Sequence, residues 1–358
     1  MTLGDPAKSV AESVDGDRAS ALLDSVRNHE LPPVLHDLVS EYQSFEGARP
    51  WFIWRWVHHL APKNTMPVVD GDHREAVATN KTMLVLFITI LDDLAEKQRD
   101  YRTFDAITRF VRLGADDCLG RTDRYSDGGV HENGSDSDRL RDATADDAYV
   151  AFARSVWETL LERLRRSPSF ERYAPLFRFD VGQIVTAIEY STLAIDRPDL
   201  VTPSDLRRYE AHNMGMYSYL DIDLMYTRAD HTDELSEFRA VVDPAQRMAR
   251  IGNWLSTWER ELREGDVSSA VVVSARERGL VDAEPLSHLG DIADDDRVEA
   301  AIDRIRAADV ETELLEEWNE EYDRLVAAAD RVDSIDLTPF AEGTKDVLRY
   351  HLASRGFK

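Results

Sequence analysis

Residues 87–100 read FITILDDLAEKQRD, a strongly apolar run that ends abruptly in carboxylates. Residues three or four apart share one face of a helix, so Asp92 and Glu96 would project from the same side, with Asp93 next to them. Adjacent carboxylates at the end of an apolar helix repel each other unless cations arrive. The stretch therefore predicts a long helix over residues 74–99 that ends in a site for divalent cations. A solvated acidic helix end is the competing interpretation of this motif alone.

A second polar stripe lies far downstream, where residues 251–266 read IGNWLSTWERELREGD. Asn253, Thr257 and Glu261 recur at four-residue intervals and would share one helix face. Their amide, hydroxyl and carboxylate oxygens suit hard ions, above all Mg²⁺, whose coordination is usually completed by water and by phosphate oxygens of a substrate. Facing each other, the two stripes predict diphosphate chemistry. The stripe alone is equally compatible with the polar face of an amphipathic helix.

The chain is strongly acidic. Its 69 Asp and Glu residues outnumber its 43 Lys and Arg residues, which gives a formal net charge of −26. Such a surface repels nucleic acid, and we exclude nucleic acid as a partner. Lysine is also scarce beside arginine, which we expect of a protein kept soluble in concentrated salt, where screening weakens self-repulsion. We therefore predict a halophilic source, with an ordinary acidic cytosolic protein as the alternative.

The sequence predicts a soluble, cytoplasmic protein. Cys118 is the only cysteine, which excludes an internal disulfide and a thiolate metal cluster. The most apolar run, residues 83–91, is far shorter than the roughly 20 residues that cross a bilayer. The first residues lack the apolar core of a signal peptide. A homodimer is among the oligomeric states that the sequence allows.

Helical periodicity organises most of the chain, and strand patterns are scarce. Residues 1–30 are polar and acidic and are expected to form a loosely held leader. Residues 31–358 are expected to form one all-α domain, and the 43% hydrophobic content is enough for a substantial core. Within that domain, residues 120–146 are rich in Gly, Asp and Ser and are expected to form a mobile loop. Helices are predicted over residues 74–99, 101–113, 147–166, 170–196, 203–227, 234–263, 267–278, 296–308, 310–332 and 337–355.

Taken together, the two motifs resemble those of microbial class I terpene synthases. Asp92 and Glu96 match the aspartate-rich DDxx(D/E) motif of that family. Asn253, Thr257 and Glu261 match its second metal-binding motif, N-D-x-x-S/T-x-x-x-E, and the two motifs occur in the family's order. The resemblance implies that these five residues hold metal ions.

The resemblance extends beyond the motifs and covers residues 50–355. Residues 261–280, ELREGDVSSAVVVSARERGL, are similar to the family's segment after the second motif. The pair Arg349-Tyr350 is similar to the Arg-Tyr pair that closes over the diphosphate in microbial members. One departure is Trp254, which replaces a frequent Asp that does not bind metal.

The fold and activity implied by the resemblance are specific. The fold would be a single-domain all-α bundle of the class I terpenoid synthase type, with a central apolar cavity. The activity would be ionisation of an allylic prenyl diphosphate, such as farnesyl or geranylgeranyl diphosphate, and rearrangement of the carbocation. About three Mg²⁺ ions, or Mn²⁺ as a substitute, would neutralise the leaving group. Asp93 is ranked after Asp92 as a ligand, because the first Asp usually ligates in this family.

The same resemblance assigns the groups that would bind diphosphate. Arg349 and Tyr350 would donate hydrogen bonds to it, since guanidinium suits phosphate oxygens well. The family also carries a diphosphate-sensing Arg ahead of the second motif, and three candidates stay open here: Arg207, its neighbour Arg208, and His212 as a substitute. The competing interpretation of His212 is a hydrogen-bonded imidazole in the core. The competing interpretation of Arg207 and Arg208 is a pair of surface residues at the start of a helix.

A carbocation must be shielded from water by an apolar pocket whose aromatic faces stabilise positive charge. Candidates lie one turn before the first motif or on helices expected to face the same cavity, although core packing explains each of them as well. They are Phe87, Ile88, Tyr190, His212, Tyr217 and Trp254.

Two other functions compete with the cyclase. A prenyl diphosphate synthase of the same fold needs a second aspartate-rich motif, and residues 221–223, Asp-Ile-Asp, lack its spacing. Head-to-head prenyl synthases need two DxxxD patterns, which are missing. A helical scaffold whose acidic motifs only hold hydrated cations is the third hypothesis. It requires Asp92 and Asn253 to lie on separate outer faces.

Overall fold

The structure is a computed structural model that describes residues 5–113, 145–281 and 295–357. Its regular structure within these ranges is entirely helical, so the predicted all-α fold is confirmed. Most of the predicted loop at 120–146 lies outside the described residues. The α-helices, in chain order, are α1 Pro6–Glu12, α2 Gly16–Arg27, α3 Pro33–Tyr42, α4 Trp51–Leu60, α5 Arg74–Asp92, α6 Tyr101–Leu113, α7 Asp147–Arg165, α8 Phe170–Asp196, α9 Pro203–Tyr209, α10 Met216–Met225, α11 Leu235–Arg263, α12 Ala270–Glu277, α13 Asp295–Ala307, α14 Val310–Ala329 and α15 Thr338–Ala353.

The N-terminal segment differs from the loosely held leader that the sequence predicts. Residues 5–30 form α1 and α2, which pack against α15, and α2 also contacts α4. Ala7 and Val26 are fully buried by this packing. Asp5 and Asp15 cap the two helices by accepting hydrogen bonds from backbone N–H groups. Such short, polar helices carry little amphipathic signal, and their order comes from tertiary contacts.

α5 is the central helix of the bundle. Most of its 19 residues are buried, and it contacts α4, α7, α8 and α10. A helix that is apolar on nearly every side can be stable only when neighbours surround it. At its end the backbone widens into a π-helical turn, Asp93–Gln98, which Arg99 terminates with a left-handed φ of 54°.

The helix predicted over residues 203–227 is broken in two. α9 gives way to a 3₁₀ turn, Glu210–Met214, and α10 begins only after Gly215. Gly215 has a φ of +65°, and a Cβ there would lie 3.2 Å from the Ile88 side chain. A side chain is therefore disfavoured by both backbone and space. The break leaves the turn packed between α8 and α11.

α11 is the second long wall of the bundle. Its 29 residues pack along α14 and α15 and contact α10 and α12. Its C-terminal half carries the second polar motif. The remaining predicted helices are found within a few residues of their predicted ends. No helix in the described part of the chain has both the length and the apolar character needed to span a membrane.

Candidate active site

A cavity of about 600 Å³ lies between α5 and α11, and both polar motifs are on its wall. Asp92 and Glu96 line it from the end of α5, and Asn253, Thr257 and Glu261 line it from α11. The predicted convergence of the two motifs is therefore present. The scaffold hypothesis needed the motifs on separate outer faces, so this arrangement argues against it.

The first motif lies where α5 changes into its π-helical turn, a local distortion that recurs at functional sites. The Asp92 side chain is 20% exposed and faces the cavity. Asp93 is 3% exposed and is absent from the cavity wall. The two adjacent carboxylates therefore have different environments, which the sequence cannot show.

Asp93, predicted as a metal ligand ranked after Asp92, is already bound by protein groups. Arg49 approaches its Oδ1 with Nε at 2.9 Å and Nη2 at 2.7 Å. Tyr42 donates its hydroxyl to Oδ2 at 2.9 Å. Since both oxygens have protein donors and the side chain is buried away from the cavity, the placement does not fit a metal ligand.

Protein donors also reach two of the cavity-facing ligands. Asn213 donates from Nδ2 to Asp92 Oδ1 at 2.9 Å. Arg250 donates from Nη1 to Asn253 Oδ1 at 3.0 Å, and its Nη2 lies 2.8 Å from the buried carboxylate of Glu210. The guanidinium of Arg250 is thus held beside the second motif, with its other face over the Trp254 ring.

The carboxylates on the two facing walls are electrostatically strained. Burial raises the pKa of Glu96 well above its usual range, and the neighbouring Asp92 and Asp266 raise it further. Burial, followed by the charge of Asp266, raises the pKa of Glu261 to about 7. Carboxylates gathered in a poorly solvated wall disfavour ionisation, and a bound cation would reverse that preference.

The cavity wall is balanced in charge although the whole protein is strongly acidic. Five carboxylates line it, and five cationic side chains line it as well. An anion at this wall would therefore lie beside local cations, in contrast to the negative field of the protein as a whole. The carboxylates are Asp92, Glu96, Glu261, Glu264 and Asp266, and the cations are Arg49, Lys97, Arg99, Arg250 and Arg260.

Away from the motifs the cavity is mostly apolar. α4 and α5 contribute Ile53, Val57 and Ile88, and the chain around the Gly215 break contributes Met214 and Met216. Tyr219, which is 6% exposed, adds an aromatic ring. A polar mouth over an apolar interior is the usual form of a site for a ligand with one charged end.

The donor set on the two walls fits a hard divalent cation. Every ligand candidate offers oxygen, from Asp and Glu carboxylates, an amide and a hydroxyl. Burial and the charge of Asp266 raise the pKa of Glu261 to about 7, so a cation bound beside it would stabilise its ionised form. The residues present therefore suit Mg²⁺ better than metals that prefer nitrogen or sulfur.

Residues 83–299 match the family model "Terpene synthase family 2, C-terminal metal binding". The chain belongs to this terpene synthase family. The matched stretch contains both oxygen-ligand motifs, and the description of the family model names metal binding. No curated protein matches the chain by sequence.

Solved structures show the same fold at low sequence identity. Isoprene synthase from grey poplar, solved with three Mg²⁺ ions and dimethylallyl-S-thiolodiphosphate, matches with a TM-score of 0.52 and 11% identity over 98% of this chain. The match covers 59% of the poplar enzyme, so this chain spans little more than half of its length. Geranylgeranyl pyrophosphate synthase from Corynebacterium glutamicum, in complex with isoprenyl diphosphate and magnesium, matches with a TM-score of 0.52 and 13% identity over 99% of both chains.

Of the predicted pocket residues in this terpene synthase, Ile88 alone lines the cavity. Phe87 is fully buried and packs on Trp157, with ring centroids 4.9 Å apart. Trp254 is also in the core, below Arg250. Both lie on the correct helices but face away from the cavity, because a helix turns successive residues by about 100°.

The other three pocket candidates pack against neighbours outside the cavity. Tyr190 pairs with Tyr209, with ring centroids 5.1 Å apart. His212 stacks on Tyr217, and its Nδ1 accepts a hydrogen bond from Gln246 Nε2 at 3.2 Å. The interpretation of His212 as a hydrogen-bonded imidazole fits this placement better than that of a ligand.

The predicted diphosphate-binding cations also lie elsewhere in the structure. Arg207 forms a bidentate pair with Glu317, and Arg208 lies over the Tyr209 ring. Both line a separate surface groove, because α9 ends before the chain turns toward the cavity. Neither residue reaches the cavity wall of the described structure.

The C-terminal pair is directed toward the N-terminal helices. Arg349 is bonded to Asp346 and lies 3.3 Å from the Ser13 hydroxyl. The Tyr350 hydroxyl lies 3.0 Å from His59 Nε2 and 3.1 Å from Ser25 Oγ. Neither side chain lines the cavity. Docking of α1 and α2 against α15, which the sequence did not predict, occupies both side chains.

Sequence reasoning missed the cations that do line the cavity. Arg250 lies one helical turn before Asn253 on the same stripe, a spacing that could have identified it. Arg49 gives no such signal, because its position depends on how the segment before α4 packs.

Proposed function

We propose that the protein is a Mg²⁺-dependent class I terpene synthase that ionises an allylic prenyl diphosphate and cyclises or rearranges the resulting carbocation. The observation that carries this proposal is the pair of oxygen-ligand walls, Asp92 with Glu96 and Asn253 with Glu261, on one cavity of about 600 Å³. The apolar interior beyond them fits a prenyl chain. Farnesyl or geranylgeranyl diphosphate, or a similar substrate, would be bound.

The metal ions would be held by Asp92 and Glu96 on one wall and by Asn253, Thr257 and Glu261 on the other. When bound, Mg²⁺ supplies Lewis-acid stabilisation of the diphosphate leaving group, with about three ions and with Mn²⁺ as a substitute. The three Mg²⁺ ions in the poplar isoprene synthase complex support this number. Proton loss from Glu261, whose pKa is about 7, would accompany metal binding.

Arg250 would bind the diphosphate from the second wall. Its guanidinium is held between Glu210 and Asn253, and its pKa is raised by Glu210 and Glu261 even though burial opposes the charge. A guanidinium group in this position can donate hydrogen bonds to two phosphate oxygens at once. This role replaces the one that the sequence assigned to Arg207 or Arg208.

The bond between the allylic carbon and oxygen would break heterolytically, and the electron pair would leave with the diphosphate. The remaining carbocation would lie among Ile53, Ile88, Met214 and Met216, which exclude water. The ring of Tyr219 would offer an electron-rich face on the same wall. These residues would also limit the chain length that fits.

Prenyl transfer is the second candidate function, because the full-length structural match is to a geranylgeranyl pyrophosphate synthase. That reaction would need carboxylates on α10, where Asp221 and Asp223 are the available pair. Both are buried and off the cavity wall, and Asp223 is bonded to Lys81 at 2.7 Å. The placement favours the synthase over the transferase.

The test is to incubate purified protein with geranyl, farnesyl, geranylgeranyl and longer diphosphates in high salt with Mg²⁺. Hydrocarbon or alcohol products with released diphosphate, lost on chelation, are expected. Parallel reactions add isopentenyl diphosphate. Chain elongation without hydrocarbon would assign prenyl transfer, and no Mg²⁺-dependent diphosphate release from any substrate would refute both functions.

A further inference from the structure

Arg49 is a cation on the cavity wall whose two shortest side-chain contacts are to Asp93, which is not among the proposed metal ligands. It precedes α4, and its side chain is 19% exposed. Asp93 holds it through two contacts, and Tyr42 holds Asp93 and accepts the Arg49 backbone N–H at 3.2 Å. Since Asp93 lies off the cavity wall, this arrangement would persist when metal ions bind the facing motifs.

The other well-buried cations of the wall, Arg250 and Arg260, pair with Glu210 and Glu264 but also contact groups that the metal site would use. Arg250 donates to Asn253, and Arg260 lies 3.4 Å from Glu261. Their contacts would be rearranged on metal binding. Arg49 is the cation whose anchors, Asp93 and Tyr42, take no part in that rearrangement.

The Arg49 guanidinium lies on the cavity wall beside Asp92 of the first motif. Guanidinium carries five N–H donors, and Asp93 is approached by Nε and Nη2. Nη1 makes no hydrogen bond with a described residue, and Nη2 lies 3.8 Å from Asp92 Oδ2. Although burial opposes the charge, Asp93 and Asp92 raise the pKa of Arg49, so it remains a cation.

We propose that Arg49 donates hydrogen bonds to the diphosphate of the substrate from the α4 side of the cavity, with Asp93 and Tyr42 as positioning residues that fix its guanidinium. This proposal rests on the proposed function. It places on the N-terminal part of the chain a contact that the sequence assigned to Arg349. It also gives Asp93 a role other than metal binding.

The test measures the dissociation constant of inorganic diphosphate in the presence of Mg²⁺, together with KM, kcat and the melting temperature. Arg49→Gln should weaken diphosphate binding by roughly ten- to a hundredfold, the loss typical of a hydrogen bond to a charged group. Arg49→Lys keeps the positive charge but lacks the planar guanidinium, so its affinity for diphosphate should lie between those of wild type and Arg49→Gln. Asp93→Asn leaves Arg49 in place but less fixed, and should raise KM.

A double variant separates binding from structure. Arg49→Gln with Asp93→Asn removes both charges, so no buried charge is left unpaired and the melting temperature should recover relative to either single variant. Diphosphate affinity should stay low. If the affinity recovers with the melting temperature, Arg49 is only structural and the proposal is overturned.

Arg239→Gln is the matched control, because Arg239 forms a similar bidentate pair with buried Asp180 outside the cavity. It should lower the melting temperature without weakening diphosphate binding. Wild-type protein that binds no diphosphate with Mg²⁺ and turns over no substrate would refute the proposed function itself. Active wild type with unchanged affinity in Arg49→Gln would refute only the role of Arg49.

Discussion

Two kinds of carboxylate within this bundle have opposite surroundings. The closed carboxylates, Asp93 and Asp223, each contact a cation of the protein, Arg49 and Lys81 respectively, at 2.7 Å. The open carboxylates face the cavity and one another, and they are Asp92, Glu96 and Glu261. The contrast is sharpest between Asp92 and Asp93, which are adjacent in the chain.

The difference in surroundings distinguishes carboxylates that stabilise the fold from carboxylates that are available to bind a ligand. A closed carboxylate becomes an uncompensated buried charge when its partner is removed, so its pair is needed for the fold. The open carboxylates Glu96 and Glu261 work against the metal-free fold, because burial and neighbouring carboxylates raise their pKa values and disfavour their ionised forms. Such residues are explained by what they bind, and variants of the two kinds should behave in opposite ways.

The largest effect is expected at the open carboxylates. Asp92→Asn, or Asn253→Ala on the facing wall, should lower turnover by roughly a hundredfold or more, since metal-ion stabilisation of a leaving group contributes several kcal/mol. The melting temperature of metal-free Asp92→Asn should be unchanged or higher, because a charge that repels Glu96 is removed. Turnover assays and thermal unfolding in chelator measure the two quantities.

The control for that comparison is Asp37→Asn, which removes an acidic side chain that is 85% exposed. It should change neither turnover nor melting temperature appreciably. Full activity in both Asp92→Asn and Asn253→Ala would contradict the assignment of the open carboxylates to the metal site.

The next largest effect is expected at the closed pair of Lys81 and Asp223. Lys81→Met should lower the free energy of unfolding by about 3–5 kcal/mol, because it leaves the buried Asp223 without its cation. Adding Asp223→Asn should restore much of this stability, since an amide oxygen can still accept the Met66 N–H bond. Chemical denaturation of the single and double variants measures the recovery.

Lys345→Met provides the comparison for this pair, because Lys345 pairs with a mostly exposed Glu342. A surface pair of this kind contributes only about 0–1 kcal/mol. A loss in Lys81→Met no greater than that of Lys345→Met would remove the distinction between closed and open carboxylates.

A smaller, pH-dependent effect is expected from Glu261, whose pKa in the metal-free fold is raised to about 7 by burial and Asp266. The folded state then binds more protons than the unfolded state between pH 4.5 and 7, so this group's contribution to the free energy of unfolding falls as pH rises through that range. Mg²⁺ competes with the proton. The increase in melting temperature given by Mg²⁺ with diphosphate should therefore grow from about pH 5.5 to 8.

Glu261→Gln should weaken this dependence, because the amide does not titrate, and the part that remains would come from Glu96, whose pKa is also raised by burial, and from diphosphate. Its metal-free melting temperature should equal or exceed that of wild type near pH 8, where the carboxylate would be ionised. A Mg²⁺ effect that stays constant with pH in wild type would show that Glu261 is ionised before metal binds.

The long helices could be predicted from the sequence because their length gives a strong periodic signal. α6 and α8 begin and end where the pattern predicts, and the facing motifs follow from four-residue spacing on α5 and α11. The break at Gly215 was missed, since a single glycine in a helical pattern does not reveal its φ. The packing of α1 and α2 was missed because short helices are stabilised mainly by tertiary contacts.

The helical class and the oxygen chemistry of the two motifs follow from the order of residues, because periodicity and residue type are local properties. Which charges meet depends on how the helices pack. The packing turned Asp92 into the cavity and Asp93 onto Arg49, and it directed Arg207 and Arg349 elsewhere. The reason is that the role of a charged side chain depends on the groups that surround it in space. The partners of these residues come from distant segments of the chain, and no local sequence pattern predicts how those segments pack.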